Sequence, residues 1–217
     1  LGAGFALATH DLEIRGAGDL LGGEQSGFIN EMGFETYQKI LDEAINELKE
    51  DSFKNLELEK NKFSKKVNLV FETDLELMFP NNYINSSTER LKLYTQLNKI
   101  CELDELNSFK LELTDRFGAL PNVVVELLNS LELRWLAAAL GFDKIVLKKN
   151  ILISYMMNFN SDEQKKKLDK LFDYSNLNPN SISFSQKRLA DGDRFIVKIK
   201  NIDSVSKAIK VLEDINT

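Results

Sequence analysis

Glycine is concentrated at the start of this chain. Eight of the eleven glycines lie within the first 33 residues, and five of those lie between Gly16 and Gly27. Glycine lets the backbone adopt positive φ and approach other groups closely, at an entropic cost that an ordinary linker does not need. Arg15 and Gln25 flank and thread this cluster, and both side chains can bind an anionic backbone. The segment therefore predicts a shaped loop with a specific role.

Two familiar phosphate-binding loops do not fit this cluster. The run from Gly16 to Gly22 has one residue too many for the GxGxxG fingerprint, and no apolar strand leads directly into it. Asp19 would also place a negative charge beside a pyrophosphate. A Walker A loop requires Gly-Lys-Ser/Thr, and the sequence contains no Gly-Lys pair. These mismatches argue against nucleotide binding by this segment.

The segment from Asp11 to Gly27 resembles the translocation motif of RecG-type helicases and transcription-repair-coupling factors. In that family, the pattern DLxxRGxGxxLGxxQxG follows the second motor domain and forms a loop beside the DNA duplex. Every fixed position of the pattern is filled here, by Asp11, Leu12, Arg15, Gly16, Gly18, Leu21, Gly22, Gln25 and Gly27. Spacing alone would leave Arg15 as a surface arginine. The resemblance instead implies a role in DNA translocation and coupling for Arg15, Gln25, Gly16, Gly18 and Gly22.

Two later stretches are similar to the transcription-repair-coupling branch of this family. One is Pro80 to Ile84 followed by Glu89 to Tyr94, and the other is Glu112 to Pro121. RecG-type chains carry no comparable large domain after the motif. The chain also begins at Leu1 in what reads as a continuing element, so we expect a C-terminal fragment.

The resemblance implies a function for the whole protein. Such a protein is an ATP-dependent double-stranded-DNA translocase, a helicase-like hydrolase, that couples stalled RNA polymerase to nucleotide excision repair. ATP and magnesium would be bound by motor domains upstream, so we expect this piece to contain no catalytic residue, cofactor site or metal site. The alternative is a non-catalytic interaction or scaffolding module in which the glycine loop is purely structural.

A polar helix face in the second half of the chain is the other candidate site. Glu112, Asp115 and Arg116 are spaced i, i+3 and i+4, so they share one face of a predicted helix. Spacing alone favours a solvated face with an internal Glu112–Arg116 pair. The resemblance implies an autoinhibitory interface, by which the C-terminal domain covers an N-terminal module that binds the repair protein UvrA.

Composition narrows the function classes. A content of 43% hydrophobic and 29% charged residues is that of a globular domain, with no membrane-spanning run and no signal peptide, so we predict a cytoplasmic protein without a membrane partner. The net charge of −6 argues against a principal nucleic-acid platform. One cysteine and one histidine cannot supply a disulfide or a zinc site of usual spacing. Cys101 follows apolar helix positions, so we predict a buried thiol.

Hydrophobic periodicity predicts an α+β fold. A helix over 34–48 follows the glycine loop, and the charged, aperiodic stretch after it predicts a linker. The predicted division is 1–50 for the loop and its helix, 51–66 for the linker and 67–217 for a regulatory domain. That domain reads as a short strand at 67–71, three helices at 89–100, 104–117 and 121–141, and then a ββαββα run. The run comprises strands at 144–148 and 151–156 around a Lys-Asn turn, a helix at 163–172, strands at 181–186 and 194–200 with an Asp191-Gly192 turn between them, and a helix at 203–215 capped by Asp203. Gly118 is predicted to end the second of the three preceding helices. Phe109, Phe117 and Trp135 are predicted core residues.

Overall fold

The computed structural model describes residues 33, 36–37, 69–157, 161–189 and 192–216. Its elements are β1 (Val70–Thr73), α1 (Ser87–Lys99), α2 (Leu103–Phe117), α3 (Asn122–Ala139), β2 (Lys144–Lys148), β3 (Ile151–Met156), α4 (Asp162–Leu177), β4 (Ile182–Leu189), β5 (Gly192–Lys200) and α5 (Val205–Asn216). The predicted α+β class and the order of three helices before ββαββα are confirmed. The glycine loop, most of the predicted 34–48 helix and the 51–66 linker lie outside the described residues.

The chain divides into two compact units. The first comprises Leu1–Lys66 and Glu76–Leu127, and the second comprises Val67–Leu75 and Leu128–Thr217. Strand β1 therefore belongs to the second unit, whereas α1 and α2, which follow it in sequence, belong to the first.

In the described part of the first unit, the complete helices are α1 and α2. Ser86 caps α1 by accepting a hydrogen bond from the backbone N–H of Glu89 at 3.3 Å, a typical serine N-cap. Each helix buries an apolar stripe at spacings of three and four residues, as an amphipathic helix does. The fully or almost fully buried members are Leu93, Tyr94 and Leu97 on α1 and Leu106, Phe109 and Leu113 on α2. Phe109 is thus a core residue as predicted, and Phe117 is half-buried.

The prediction of a buried thiol at Cys101 is wrong, because Cys101 is exposed. Helix α1 ends at Lys99, and Ile100 adopts an extended backbone with φ −68° and ψ 125°. The helical period therefore stops before Cys101, which lies in the short connection to α2. Its backbone N–H donates to Glu105 Oε2 at 2.9 Å, which ties this connection to the first turn of α2.

The second unit contains a five-stranded sheet in the order β1-β2-β3-β5-β4. Strand β1 pairs parallel to β2, and the other neighbours pair antiparallel. The predicted Lys-Asn turn between β2 and β3 is confirmed, since Lys149 and Asn150 have φ values of 53° and 60°. Positive φ at both central residues is characteristic of a type I′ hairpin turn. The predicted Asp191-Gly192 turn falls partly outside the described residues.

Helices cover one face of this sheet. The Phe172 ring on α4 lies 5.0 Å from Phe184 on β4 and 6.2 Å from Phe195 on β5, measured between ring centroids. Val197 and Ile199 follow Phe195 at every second position of β5, so they lie on the same face, and both are buried. The helical face is therefore the core face, because side chains alternate between the two faces of a strand.

Two helices of the second unit end just before a glycine or a proline. After α3, the N–H of Phe142 donates to the Ala137 carbonyl and the N–H of Gly141 donates to the Ala138 carbonyl, at 3.0 and 2.9 Å. With Gly141 at φ 87°, this is a Schellman termination. Helix α4 continues five residues beyond its predicted end, to Leu177, and stops just before the Asn-Pro pair that disfavours helical backbone.

Two further predictions on the second unit need adjustment. Asp203 was predicted to cap the last helix, but Ser204 does so, because its Oγ accepts from the Lys207 N–H at 3.3 Å. Asp203 instead pairs with the Lys207 ammonium at 3.1 Å. Trp135, predicted as core, is half-buried.

Among the described helices, none combines the length and the hydropathy required to cross a bilayer.

Candidate functional site: the polar face of helix α2

The described residues include one of the two predicted sites. Glu112, Asp115 and Arg116 lie on α2, and all three are exposed. The residues predicted for DNA translocation lie outside the described residues, namely Arg15, Gln25, Gly16, Gly18 and Gly22.

The buried stripe of α2 decides which side of the helix faces solvent, and the residues at its two ends decide where the helix begins and stops. The stripe of Leu106, Phe109 and Leu113 turns the opposite side toward solvent. Its first turn is acidic and its last turn carries Arg116, so both ends complement the helix dipole. Gly118 ends the helix with φ 85°, and its N–H donates to the Thr114 carbonyl at 3.0 Å. Arg116 is thereby fixed in the last turn of the helix.

Arg116 joins the end of α2 to the start of α1. Its Nη1 donates to Glu112 Oε1 at 2.9 Å, and its Nη2 donates to Glu89 Oε1 on α1. These hydrogen bonds, first to Glu89 and then to Glu112, raise the pKa of Arg116 above its already high usual value. The side chains of Arg116, Glu89 and Glu112 are 38%, 28% and 43% exposed. Ion pairs at this exposure contribute about 0.2–1 kcal/mol each, so the cluster orients the face more than it stabilises the fold.

The face is acidic on balance. Glu89, Glu112 and Asp115 contribute three carboxylates against the one guanidinium of Arg116. Arg116 contacts only the Oε1 atom of each glutamate, and a carboxylate offers about four acceptor sites. Each glutamate can therefore accept a further hydrogen bond from a cationic group. We name these four residues the α2 polar face.

An exposed apolar side chain accompanies the charges. Leu111 precedes Glu112 and is 72% exposed. It lies four residues before Asp115 and therefore on the same side of the helix. An apolar centre with a charged rim is the usual composition of a protein–protein interface. The α2 polar face together with Leu111 is thus suited to docking a partner that carries an apolar anchor and basic residues.

Tyr83 holds the preceding turn against the end of α2. Its hydroxyl lies 3.2 Å from the carbonyl oxygens of both Leu113 and Gly118. Its ring meets Phe117 edge-on, with 5.9 Å between the centroids. Partial burial raises the pKa of Tyr83, which keeps the hydroxyl protonated and able to donate. The Pro80-to-Ile84 stretch therefore positions the C-terminal turn that carries Arg116.

Arg90 fixes the other end of that turn. Its Nη1 donates to the Ile84 carbonyl at 2.6 Å and to the Asn85 carbonyl at 3.2 Å. Only 3% of Arg90 is exposed, and this burial lowers the pKa of its guanidinium. Nearby, the hydroxyl of Tyr94 accepts from the Phe79 N–H at 3.0 Å, and burial raises the pKa of Tyr94 to about 12. The Glu89-to-Tyr94 stretch thus supplies both the α1 end of the site and its buried support.

Sequence reasoning missed two residues of the site. Glu89 was placed only near the start of a helix, because its partner Arg116 lies 27 residues away and no local pattern links them. Leu111 carried a usable signal, since it is an apolar residue outside the three-and-four spacing of the buried stripe.

Within the described part of the chain, no group of three or more His, Cys, Asp or Glu residues is arranged to hold a metal ion.

Comparison with known proteins identifies the family. The sequence model of the TRCF domain matches residues 73–169, which include the whole of α2. The chain is 42% identical over 149 residues to the transcription-repair-coupling factor of Haemophilus influenzae, and 41% identical over 152 residues to that of Escherichia coli. Each match covers 67% of this chain. The chain belongs to the transcription-repair-coupling factor family.

The match to relatives of this family is partial in length. The chain spans only 12% of the Haemophilus and Escherichia proteins. The factor of Rickettsia typhi is 33% identical over 196 residues, covering 88% of this chain and 16% of that protein. A crystal structure of the C-terminal domain of a transcription-repair coupling factor is similar over 68% of this chain and 92% of that chain, with a TM-score of 0.48 and 14% identity. The assignment to the family rests on the sequence matches.

Proposed function

We propose that this chain is the C-terminal part of an ATP-dependent double-stranded-DNA translocase that couples stalled RNA polymerase to nucleotide excision repair in the cytoplasm. Family membership supports the proposal. Among the described residues, the α2 polar face supports its docking part. The chain contributes two parts, a translocation loop and an autoinhibitory docking surface. ATP and magnesium bind in motor domains elsewhere in the full-length protein.

The translocation loop is the part that contacts DNA. Arg15 offers a planar guanidinium that can hold phosphate through two hydrogen bonds, and Gln25 adds a donor and an acceptor without sequence preference. The glycines at 16, 18 and 22 let the backbone turn closely around these side chains.

A displacement assay with the full-length protein tests the loop. Arg15→Ala and Gln25→Ala should each abolish removal of stalled RNA polymerase from DNA while leaving the circular dichroism spectrum unchanged. Arg188→Ala is the matched control, because Arg188 is an arginine with a side chain 89% exposed on β4. If both loop variants displace polymerase at the rate of the control, the loop is structural and the scaffolding alternative is correct.

The docking surface is autoinhibitory in this proposal. The three carboxylates of the α2 polar face would bind basic residues of the N-terminal UvrA-binding module, with Leu111 as the apolar anchor. Arg116 is held between Glu89 and Glu112, so these two carboxylates are ordered before docking and lose little side-chain entropy. An interface of charged pairs at a polar rim opens when a competing partner binds, which suits a reversible inhibitor.

UvrA pull-down and steady-state ATPase assays on the full-length protein test this role. The triple variant Glu112→Ala/Asp115→Ala/Arg116→Ala should raise both UvrA capture and basal ATP turnover. The control is Lys166→Ala/Asp169→Ala/Lys170→Ala, which removes three exposed charges from α4. Equal UvrA capture by both triple variants and the wild type would show that the α2 polar face is only a solvated helix surface.

The proposal also assigns no nucleotide site to this chain. Calorimetric titration of the 217-residue chain with magnesium ATP should give no saturable heat. Saturable micromolar binding of ATP would contradict this part of the proposal, because the sequence contains no Walker A or GxGxxG motif.

A further inference from the structure

The sheet of the second unit has a face that its helices do not cover. Side chains on that face alternate with the buried ones along β2, β3 and residues 196–200 of β5, and they are half-buried or exposed. Towards the start of β5, Arg194 lies on the same side of the strand but is buried. We call it the open sheet face. Its members on these three strands include Lys144, Val146, Lys148, Ile151, Ile153, Tyr155, Ile196, Lys198 and Lys200.

The open sheet face has an apolar centre. Ile151, Ile153 and Tyr155 form a row along the central strand β3, and each is half-buried rather than covered. Val146 lies directly beside Ile153 on β2, and Ile196 lies directly beside Tyr155 on β5. Soluble proteins seldom leave contiguous aliphatic and aromatic side chains uncovered without a binding role.

Lysines border this apolar row on both sides. Strand register places Lys148 and Lys200 on either side of Ile151, and it places Lys198 beside Ile153. Lys198 and Lys200 are exposed on β5, about 7 Å apart along the strand. The face is therefore cationic within a chain of net charge −6.

One carboxylate is already bound at an edge of this face. Glu72 on β1 lies between two lysines of β2, with Lys144 Nζ at 2.5 Å and Lys148 Nζ at 3.2 Å from its oxygens. The hydrogen bond from Lys144, and then that from Lys148, lowers the pKa of Glu72. The lysines on the β2 side of the row thus already bind a carboxylate of this chain. The lysines of β5, on the other side of the row, can bind a carboxylate in the same way.

The dimensions of the face fit a helix. Strands β2, β3 and β5 are neighbours, so the outer two are about 9.6 Å apart, and an α-helix with its side chains is about 10–12 Å across. We propose that the open sheet face docks an acidic amphipathic helix of a partner protein. Its apolar stripe would pack on Ile151, Ile153 and Tyr155, and its acidic flank would pair with Lys198 and Lys200. This inference does not depend on the function of the α2 polar face.

Fluorescence anisotropy of a designed peptide tests the proposal. The probe is a fluorescein-labelled helical peptide of roughly 18 residues, about five turns, with leucines along one stripe and glutamates along one flank. It should bind the 217-residue chain saturably, whereas a peptide of the same composition in scrambled order should not. Lys198→Glu/Lys200→Glu should weaken binding about tenfold or more, because like charges then face each other.

A matched variant and a second probe make the result decisive. Lys166→Glu/Lys210→Glu reverses two exposed lysines on α4 and α5 and should bind the peptide like the wild type. Ile153→Ser, checked for folding by circular dichroism, should also weaken binding. Equal affinity for the ordered and scrambled peptides, or equal loss in both lysine variants, would overturn the proposal. Binding of a single-stranded DNA oligonucleotide that is lost in Lys198→Glu/Lys200→Glu, without peptide binding, would identify a nucleic-acid surface instead.

Discussion

Replacing the charges of the α2 polar face should leave the fold almost intact. In Glu112→Ala/Asp115→Ala/Arg116→Ala, the i, i+4 pair between Glu112 and Arg116 is lost, at about 0.3–0.5 kcal/mol. The pair between Arg116 and Glu89 is also lost, at about 0.2–1 kcal/mol. Alanine at these helical positions returns a few tenths of a kcal/mol through its higher helix propensity, roughly. The expected net cost is about 0–1.5 kcal/mol, or at most about 6 °C in Tm for a chain of this size.

Urea unfolding of the 217-residue chain, followed by circular dichroism, measures this cost. The contrasting variant is Leu113→Ala on the same helix, where a fully buried leucine is truncated and about 2–5 kcal/mol should be lost. In 1 M salt, the difference between wild type and triple variant should shrink, because the screening length falls to about 3 Å. A loss above about 3 kcal/mol in the triple variant would refute the reasoning, since exposed ion pairs cannot supply it. A small loss would make the variant a clean probe of UvrA docking.

Three further predictions concern the support of the site and the helix ends. The raised pKa of Tyr94, about 12 against about 10 when unfolded, means that its neutral form stabilises the fold fully below pH 10 and that this contribution disappears by pH 12. Between pH 9 and pH 11, urea unfolding should show an excess loss of about 1.4 kcal/mol in total, almost all of it above pH 10, and Tyr94→Phe should remove this loss. Arg90→Met should cost about 1.5–3 kcal/mol in the same assay, because the Ile84 carbonyl loses a charged donor, and a cost near zero would contradict its role as a buried support. Gly141→Ala should cost at least about 1–2 kcal/mol in thermal unfolding, since its φ of 87° disfavours a side chain.

Local patterns in the sequence were enough to predict most of the described elements. The apolar period of α2, its Gly118 terminus and the Lys149-Asn150 turn each depend on residues close together in the chain, and the structure confirms them. The prediction for Cys101 was wrong because the apolar spacing of the sequence continues through Ile100, whereas the helix itself ends at Lys99. The length of α4 was underestimated because the buried stripe of Leu168 and Leu171 is continued by a polar residue, Ser175.

Contacts between distant residues were beyond the reach of sequence patterns. The pairing of Glu89 with Arg116 depends on how α1 and α2 pack, and no spacing rule encodes that packing. The open sheet face was also hidden, because its lysines and apolar residues come from separate strands and meet only through the register. The predicted roles of Arg15 and Gln25 remain predictions that the displacement assay will decide.

The parallel pairing of β1 with β2 has a consequence for folding during synthesis. Val70 pairs with Lys144, so the ribosome must add roughly 70 residues before β1 meets its partner strand, which takes about 4–14 s at about 5–20 residues per second. Throughout that interval, Val70 and Phe71 belong to an unpaired strand that could associate with other nascent chains. Glu72 carries a charge in the middle of this strand, and charges at such positions oppose aggregation. Once β2 emerges, the same carboxylate gains Lys144 and Lys148 as partners, so one residue protects the strand before pairing and fastens it afterwards.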